Sequence, residues 1–144
     1  MQYTFGVDVG GTAIKYGLFG DGLIEKWASP TRVDANGSQI LPDIAAALAA
    51  CQARHSITPG QITGIGIGVP GPVDAAGRVN RCVNLNWGVF NICQALEALT
   101  GLPVRAGNDA NVAALGEYYD GGGQGCRSMV MVTFGTGVGG GIIL

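Results

Sequence analysis

The sequence predicts an α/β domain, followed by the first hairpin of a second domain. Two observations carry this prediction. Strand-like and helix-like patterns alternate through the middle of the chain, which is typical of a parallel sheet covered by helices. A glycine-rich turn also interrupts apolar, strand-forming runs near each end, at residues 7–12 and 132–141. With 144 residues, 47% of them hydrophobic, the chain can bury a core of its own.

The first three predicted elements are strands. Residues 3–9 form an apolar run, and after the Gly10-Gly11 turn the side chains of residues 12–19 alternate with a period of two. Asp21-Gly22 supplies the next turn, and residues 23–28 form the third strand. We therefore expect the chain to open with a three-stranded meander.

A helix, a buried strand and a long loop follow. Ser38 is a suitable N-cap for a helix that runs to Arg54 with its apolar residues on one face. Residues 62–69 mix isoleucine and valine with glycine, as in a buried parallel strand that its neighbours approach closely. Segment 70–87 has no regular pattern, and long ordered loops usually serve a function, so we expect it to contribute to a site.

Two more helices complete the order β-β-β-α-β-α-β-α. Asn91 caps a helix that Gly101 ends, and residues 103–106 form the strand that follows it. Either Asn108 or Asp109 caps the third helix.

The glycine-rich segment 121–125 is the predicted joint between two domains, at 1–122 and 126–144. The second domain begins with strands at 129–134 and 141–144. Because the chain stops inside an apolar strand, we expect this second domain to be truncated.

Composition argues against several classes of function. The net charge is −2 and no basic run occurs, which argues against nucleic-acid binding. None of the four cysteines lies in a C-x-x-C pair, so neither a zinc knuckle nor a redox pair is predicted. No apolar stretch is long enough to span a membrane and no signal peptide is recognised, so we expect a cytoplasmic protein. The only histidine, His55, is expected at the solvated end of a helix.

The first glycine turn has the features of a phosphate-binding loop. Glycine amides can close around an anion, and the strand that follows Gly10-Gly11 excludes a Rossmann fingerprint. Asp8 ends the first strand, where its carboxylate can bind Mg²⁺ directly or through water. Thr12 offers a hydroxyl to a phosphate oxygen, and Lys15 offers a positive charge. The alternative is a purely structural hairpin with an Asx turn.

The second turn, Gly135-Thr136-Gly137, lies on the same kind of predicted hairpin. Two such hairpins can hold a polyphosphate between them, so we expect a nucleotide-dependent phosphotransferase. An ordinary glycine-rich β-turn is the alternative here.

Three further segments offer groups that could act on an alcohol. Asp109 follows a strand and opens a helix, where its carboxylate can accept the proton of a hydroxyl that attacks a phosphorus atom. Asn108 can hold a neighbouring hydroxyl, although either residue can equally be a helix cap. In the irregular loop, Gly71 and Asn84 are candidates, since asparagine amides suit sugar hydroxyls but also populate turns.

Taken in order, these segments resemble the ROK family, which is named for repressors, open reading frames and kinases. The matching stretches cover nearly the whole chain and fall at residues 6–12, 66–74, 84–87, 107–117 and 134–141. The resemblance implies an actin-like ATPase (ribonuclease H-like) fold. It also implies ATP-dependent phosphorylation of a hexose at its 6-hydroxyl, as in the bacterial glucokinases of the family.

The resemblance implies a role for each candidate residue. Asp109 would be the general base and would bind the sugar together with Asn84, Asn108 and Gly71. ATP and its Mg²⁺ would face Asp8, Gly10, Gly11, Thr12 and Lys15 on one side, and Gly135, Thr136 and Gly137 on the other. The family's zinc site is expected only in a C-terminal half that these residues lack. The full-length protein is expected to be a homodimer, and this chain alone to be inactive.

Two alternatives stay open. A sugar-responsive ROK regulator would carry a helix-turn-helix ahead of the first turn, but that turn begins at residue 7, which argues against a DNA-reading domain. A non-catalytic nucleotide-binding module would have no need of a carboxylate at Asp109. Both alternatives predict ligand binding without phosphoryl transfer.

Overall fold

A computed structural model of the chain describes residues 1–135 and 137–144, and a five-stranded mixed sheet forms its centre. Its strands are β1 Tyr3–Val9, β2 Ala13–Phe19, β3 Leu23–Pro30, β4 Ile62–Val69 and β7 Val104–Asn108. Their spatial order is β3-β2-β1-β4-β7. The first three strands pair antiparallel, whereas β4 lies parallel to β1 and β7 parallel to β4. The predicted meander and the predicted buried parallel strand are both confirmed.

Two of the longer helices and the core lie on one face of this sheet. The helical segments are α1 (Asp34–Gly37, a single turn), α2 (Ile40–Arg54), α3 (Ile92–Thr100) and α4 (Asp109–Asp120). Alternate residues of β1, such as Phe5 and Val9, are fully buried together with Ile44 of α2 and Leu96 of α3. The apolar side chains at alternate positions of the strands therefore pack against the apolar faces of α2 and α3.

The opposite face of the sheet is lined by glycine. Gly6 of β1 pairs directly with Gly17 of β2 and with Gly66 of β4, so a row of bare backbone crosses three strands. A cavity of about 940 Å³ lies over this row, and Val112 and Leu115 of α4 are among its lining residues.

Local cap signals were reliable at α3 but not at α2. Asn91 accepts a hydrogen bond from the Gln94 amide at 2.9 Å, and Gly101 ends α3 with φ +70°, as predicted. The predicted Ser38 cap of α2 is wrong, because the helix begins at Ile40 and is preceded by Gln39. Ser38 instead closes the α1 turn, its amide donating to the carbonyl of Ala35 at 3.2 Å.

The segment predicted as irregular contains short regular pieces. β5 (Arg78–Val79) pairs with β6 (Phe90–Asn91), and a short 3-10 helix spans Val83–Leu85. Trp87 is buried, and its indole Nε1 donates to the carbonyl of Gly37 at 3.1 Å. The loop is thus fastened to the α1 turn, and this contact helps to fix its position beside the sheet.

The last two strands form a separate antiparallel hairpin, β8 (Met129–Phe134) with β9 (Val138–Ile143). It was predicted, although β9 begins three residues earlier than expected. A β-carbon at Gly141 would collide with that of Ala114, so β9 packs closely against α4. Among the described residues, none of the helices is both long and apolar enough to cross a bilayer.

Candidate functional site

A cleft of about 410 Å³ opens where the two glycine hairpins approach the start of α4. It is lined by Gly10, Gly11, Pro70, Asn84, Asn108, Asp109, Ala110, Thr133, Phe134, Gly135, Gly137, Val138 and Gly139. Most of the residues that the sequence singles out are therefore brought together, although they come from four separate stretches of the chain. The cleft lies at the carboxyl ends of parallel strands β4 and β7, the usual location of sites in open α/β sheets.

The junction of β7 and α4 places Asp109 in the cleft. Asn108 is the N-cap of α4, and its Oδ1 accepts from the amides of Ala110 at 3.1 Å and Asn111 at 3.4 Å. Asp109 is the first residue of the helix and lines the cleft. The cap and the candidate base are thus two adjacent residues, and the two interpretations of this segment are compatible.

Asn108 is also tied to the loop that follows β4. Its Nδ2 donates to the carbonyl of Gly71 at 3.2 Å, so both ends of the amide already have backbone partners. Gly71 is buried, and a β-carbon there would lie 2.9 Å from the carbonyl oxygen of Arg81. The observed contacts make Asn108 a residue that positions Asp109. Direct sugar binding by Asn108 and Gly71 stays a prediction, and Gly71 is not among the lining residues of the cleft.

The first hairpin turn is held in shape by its own backbone. The Gly10 amide donates to the carbonyl of Ala13 at 2.9 Å, and the Gly10 carbonyl accepts from Thr31 Oγ1 at 2.7 Å. A β-carbon at Gly10 would lie 2.7 Å from the Ala13 oxygen, which explains the glycine there. A β-carbon at Gly11 would lie 3.8 Å from that of Asn84, so the turn and the loop form adjacent walls of the cleft.

The second hairpin forms the facing wall. Gly135 and Gly137 line the cleft, and the Gly135 amide donates to the Gly137 carbonyl at 2.9 Å. Phe134, 84% exposed, stands at the rim. Thr136, a predicted phosphate contact, lies outside the described residues.

Asp8 and Asp109 share an adjoining depression of about 340 Å³. Asp8, the last residue but one of β1, pairs with Gly68 of β4, and a β-carbon at Gly68 would lie 3.4 Å from the α-carbon of Asp109. The side chain of Asp8 keeps contact with solvent, but its partial desolvation raises the pKa of the carboxyl group. The negative charge of Asp109 raises it further, against the opposing effect of Lys15. A pair of neighbouring carboxylates of this kind favours a bound cation.

Two other predicted residues lie away from the cleft. Lys15 pairs in register with Asp8 and lines the large cavity on the sheet face. Thr12 is exposed, and its carbonyl accepts from the Thr31 amide at 2.9 Å. Neither lines the space between the two hairpins, and their predicted contacts with nucleotide stay predictions.

Thr133 is a lining residue that the sequence analysis did not single out. It lies on β8 just before the second glycine turn and lines both the cleft and the adjoining depression. The sequence did contain a sign of this role, because Thr133 carries a hydroxyl group two residues before a predicted phosphate-binding turn. Pro70 and Ala110 also line the cleft, but their side chains carry no polar group that a sequence pattern could have flagged.

Comparison with known proteins gives consistent relatives. A glucokinase from Halalkalibacterium halodurans is 42% identical over 145 residues, which cover 99% of this chain and 44% of that protein. The crystal structure of a ROK family glucokinase from Streptomyces griseus in complex with glucose and AMPPNP is similar with a TM-score of 0.86 at 36% identity. It matches 99% of this chain and 44% of that chain. The actin-like ATPase fold implied by the sequence is therefore confirmed.

A putative xylose repressor from Caldicellulosiruptor sp. also matches, at 42% identity over 58% of this chain and 21% of that protein. The chain spans less than half the length of the glucokinase relatives. The sequence profile of the ROK family matches residues 4–144. This chain is a member of the ROK family.

Proposed function

We propose that this chain supplies the sugar- and phosphate-binding part of an ATP-dependent hexose kinase of the glucokinase type. The observation that carries the proposal is the cleft in which both glycine hairpins face Asp109. Phosphoryl transfer requires a donor and an alcohol to be held together beside a group that can accept a proton. The glucokinase relatives match 99% to 100% of the chain, which favours the same chemistry here.

Asp109 is the proposed general base. Its carboxylate lines the cleft, and it would accept the proton of the sugar 6-hydroxyl as that oxygen attacks the terminal phosphorus. Asn84, on the neighbouring wall, would hold the sugar through its amide. Asn108 would fix the carboxylate of Asp109 by capping α4 and binding Gly71, and any direct contact of Asn108 with the sugar would be additional.

The residues present fit a triphosphate and a magnesium ion. The glycine turns on opposite walls offer backbone without β-carbons, and Asp8 with Asp109 forms a pair of carboxylates whose repulsion a cation would relieve. Asp8 would hold Mg²⁺, which supplies charge neutralisation for the phosphates when it is bound. The Gly11 turn and the Gly135 turn would hold the phosphates from either side.

A sugar-responsive regulator is the second candidate, because the putative xylose repressor matches over 58% of this chain. Such a protein would bind sugar in the same cleft and transfer no phosphate. The longer match to a glucokinase favours the kinase. The same proposal includes two further points. The full-length protein would be a homodimer, and phosphoryl transfer would require its C-terminal half.

The proposal is tested by a chimera in which this chain is continued by the unmatched C-terminal part of the Halalkalibacterium halodurans glucokinase. A coupled assay with ATP, Mg²⁺ and a panel of hexoses should register sugar phosphate formation, and the 144-residue chain alone should give none. Titration of the chimera with glucose should change its tryptophan fluorescence, because Trp87 lies in the loop beside the cleft. Sugar binding without turnover would favour the regulator, and binding of neither ligand by a folded chimera would refute the proposed function.

A further inference from the structure

Three potential metal ligands meet outside the cleft, on the side of β3 that faces α2. Glu25 of β3, Cys51 of α2 and His55, which immediately follows α2, place a carboxylate oxygen, a sulfur and an imidazole nitrogen all within 4.8 Å of one another. Cys51 and His55 are four residues apart at the end of α2, so they lie on the same helical face. From the sequence His55 is expected only at a solvated helix end, because Glu25 is distant along the chain.

One oxygen of Glu25 is the meeting point. Cys51 Sγ donates to Oε2 of Glu25 at 3.7 Å, and His55 Nε2 lies 2.5 Å from the same oxygen. The other oxygen, Oε1, accepts from Arg54 Nη2 at 2.7 Å. The Arg54 guanidinium in turn lies over the ring of Trp27, 5.5 Å from its centroid. Arg54 thus fixes the Glu25 carboxylate, and Oε2 is left facing the sulfur of Cys51 and the nitrogen of His55. Hydrogen-bond partners behind the ligands orient metal ligands in proteins in the same way.

We propose that Glu25, Cys51 and His55 form a binding site for one divalent transition-metal ion, with Zn²⁺ as the closest chemical match. Thiolate, imidazole and carboxylate are the three ligand types that Zn²⁺ takes from proteins. Three protein ligands leave a fourth coordination position for water or another small ligand. The site is separate from the proposed kinase cleft and goes beyond the proposed function.

Two of the three donor spacings can be compared directly with those around this ion. Ligand distances of about 2.3 Å for sulfur and 2.1 Å for oxygen, at a tetrahedral angle, separate the two donors by about 3.6 Å. Cys51 Sγ and Glu25 Oε2 are 3.7 Å apart. His55 Nε2 must withdraw from the same oxygen by about 1 Å to reach tetrahedral spacing. Its side chain is 32% exposed at the end of α2, where it has room to move.

The ligand charges also suit a dication. Cys51 binds a metal ion only as its thiolate, so the bound ion would face two negative ligands, that sulfur and the Glu25 carboxylate, together with the neutral His55 ring. The Glu25 carboxylate can keep its ion pair with Arg54 through its other oxygen.

Co²⁺ and Zn²⁺ titrations of the tag-free 144-residue chain test the site. A thiolate ligand gives bound Co²⁺ an intense charge-transfer absorption, which should appear at one ion per chain and vanish on addition of Zn²⁺. Cys51→Ser should abolish the band, and His55→Asn should weaken Zn²⁺ binding at least about tenfold in competition with a chromophoric chelator. Cys126→Ser is the matched control, because Cys126 is an exposed thiol outside the cluster and its loss should leave the band intact.

His55→Asn keeps the test informative if Cys51→Ser fails to fold, because the His55 side chain is partly exposed whereas Cys51 is fully buried. Circular dichroism of each variant without metal establishes that the chain is folded. A charge-transfer band that survives Cys51→Ser, or no band in the parent chain, would overturn the proposal. The cluster would then be an ion-pair contact between β3 and α2 only.

Discussion

Asn108 Nδ2 donates a hydrogen bond to the backbone carbonyl of Gly71 at 3.2 Å, while Asn108 Oδ1 caps α4. One side chain therefore joins the end of β7, the loop after β4 and the helix that begins with Asp109. The two functions can be separated by substitution, because serine keeps a capping oxygen and is too short to reach Gly71.

Asn108→Ser should preserve the cap and lose only the bond to Gly71, at a cost of about 0.5–1.5 kcal/mol in the free energy of unfolding. Asn108→Ala should lose both functions and cost about 1–3 kcal/mol. Urea denaturation of the 144-residue chain measures both values. Equal losses for the two variants would contradict a separate contribution from the cap.

Asp109→Asn should lower kcat of the chimeric kinase by roughly 10²–10⁴ and leave glucose affinity nearly unchanged, because an amide cannot accept the hydroxyl proton. The coupled assay gives kcat, and fluorescence titration gives affinity. Asp120→Asn, at the other end of α4, is the control for removal of one carboxylate from the same helix. An unchanged kcat in Asp109→Asn would remove this residue from the mechanism.

Local chemistry explains what could be predicted from the sequence. The Asn91 cap and the Gly101 stop of α3 depend on neighbouring residues only, and both are confirmed. The strands around Gly10-Gly11 follow from a period of two, and Asp109 was recognised because it comes directly after a strand. The same local reasoning was wrong at Ser38. Ala35 and Asn36 adopt positive φ angles, and Ser38 belongs to the turn that they make and not to the start of α2.

Contacts between distant residues could not be predicted in this way. Asn108 and Gly71 are 37 residues apart, and Glu25 and His55 are 30 apart. Each contact depends on the order in which strands enter the sheet. A single sequence offers no sign that Glu25 on β3 meets the last turn of α2, although Cys51 and His55 are visibly spaced for one helical face.

Gly37→Ala should destabilise the chain by more than about 1 kcal/mol, because Gly37 has a left-handed φ of +64° that alanine disfavours. A β-carbon there would also lie 2.7 Å from Trp87 Nε1 and collide with the carbonyl oxygen of Leu85. Gly60→Ala is the control, since a β-carbon at Gly60 meets nothing within 4 Å. Urea unfolding followed by tryptophan fluorescence compares the two, and equal stabilities would show that the contact between Gly37 and the Trp87 loop tolerates a side chain.

Asp8→Asn should stabilise the chain at neutral pH. Because the folded-state pKa of Asp8 is raised, its contribution to stability is present below the unfolded-state pKa and is lost as pH rises through the folded-state value. The gain in Tm from Asp8→Asn should therefore be largest at neutral pH and disappear in acid. Thermal unfolding at both pH values measures it, with Asp120→Asn as the control for loss of a charge elsewhere. A gain that is equal at both pH values would contradict a raised pKa.

The ion pair of Arg32 with Asp43 should show the opposite pH dependence. Arg32 Nε and Nη2 bind the two oxygens of Asp43 at 2.8 and 2.6 Å, and this contact lowers the pKa of the carboxyl. Its stabilisation is present above the unfolded-state pKa and is lost as pH falls through the folded-state value. Asp43→Asn should therefore lower Tm at neutral pH and have little effect in acid.

Because the pair is partly exposed, we expect only a small coupling free energy between Arg32 and Asp43, weakened further by salt. Asp43 also lies in the first turn of α2, where a negative charge is favourable without any partner. A double-mutant cycle with Arg32→Met and Asp43→Asn separates these two contributions. A zero coupling energy at low salt would leave the helix position of Asp43 as its sole source of stabilisation.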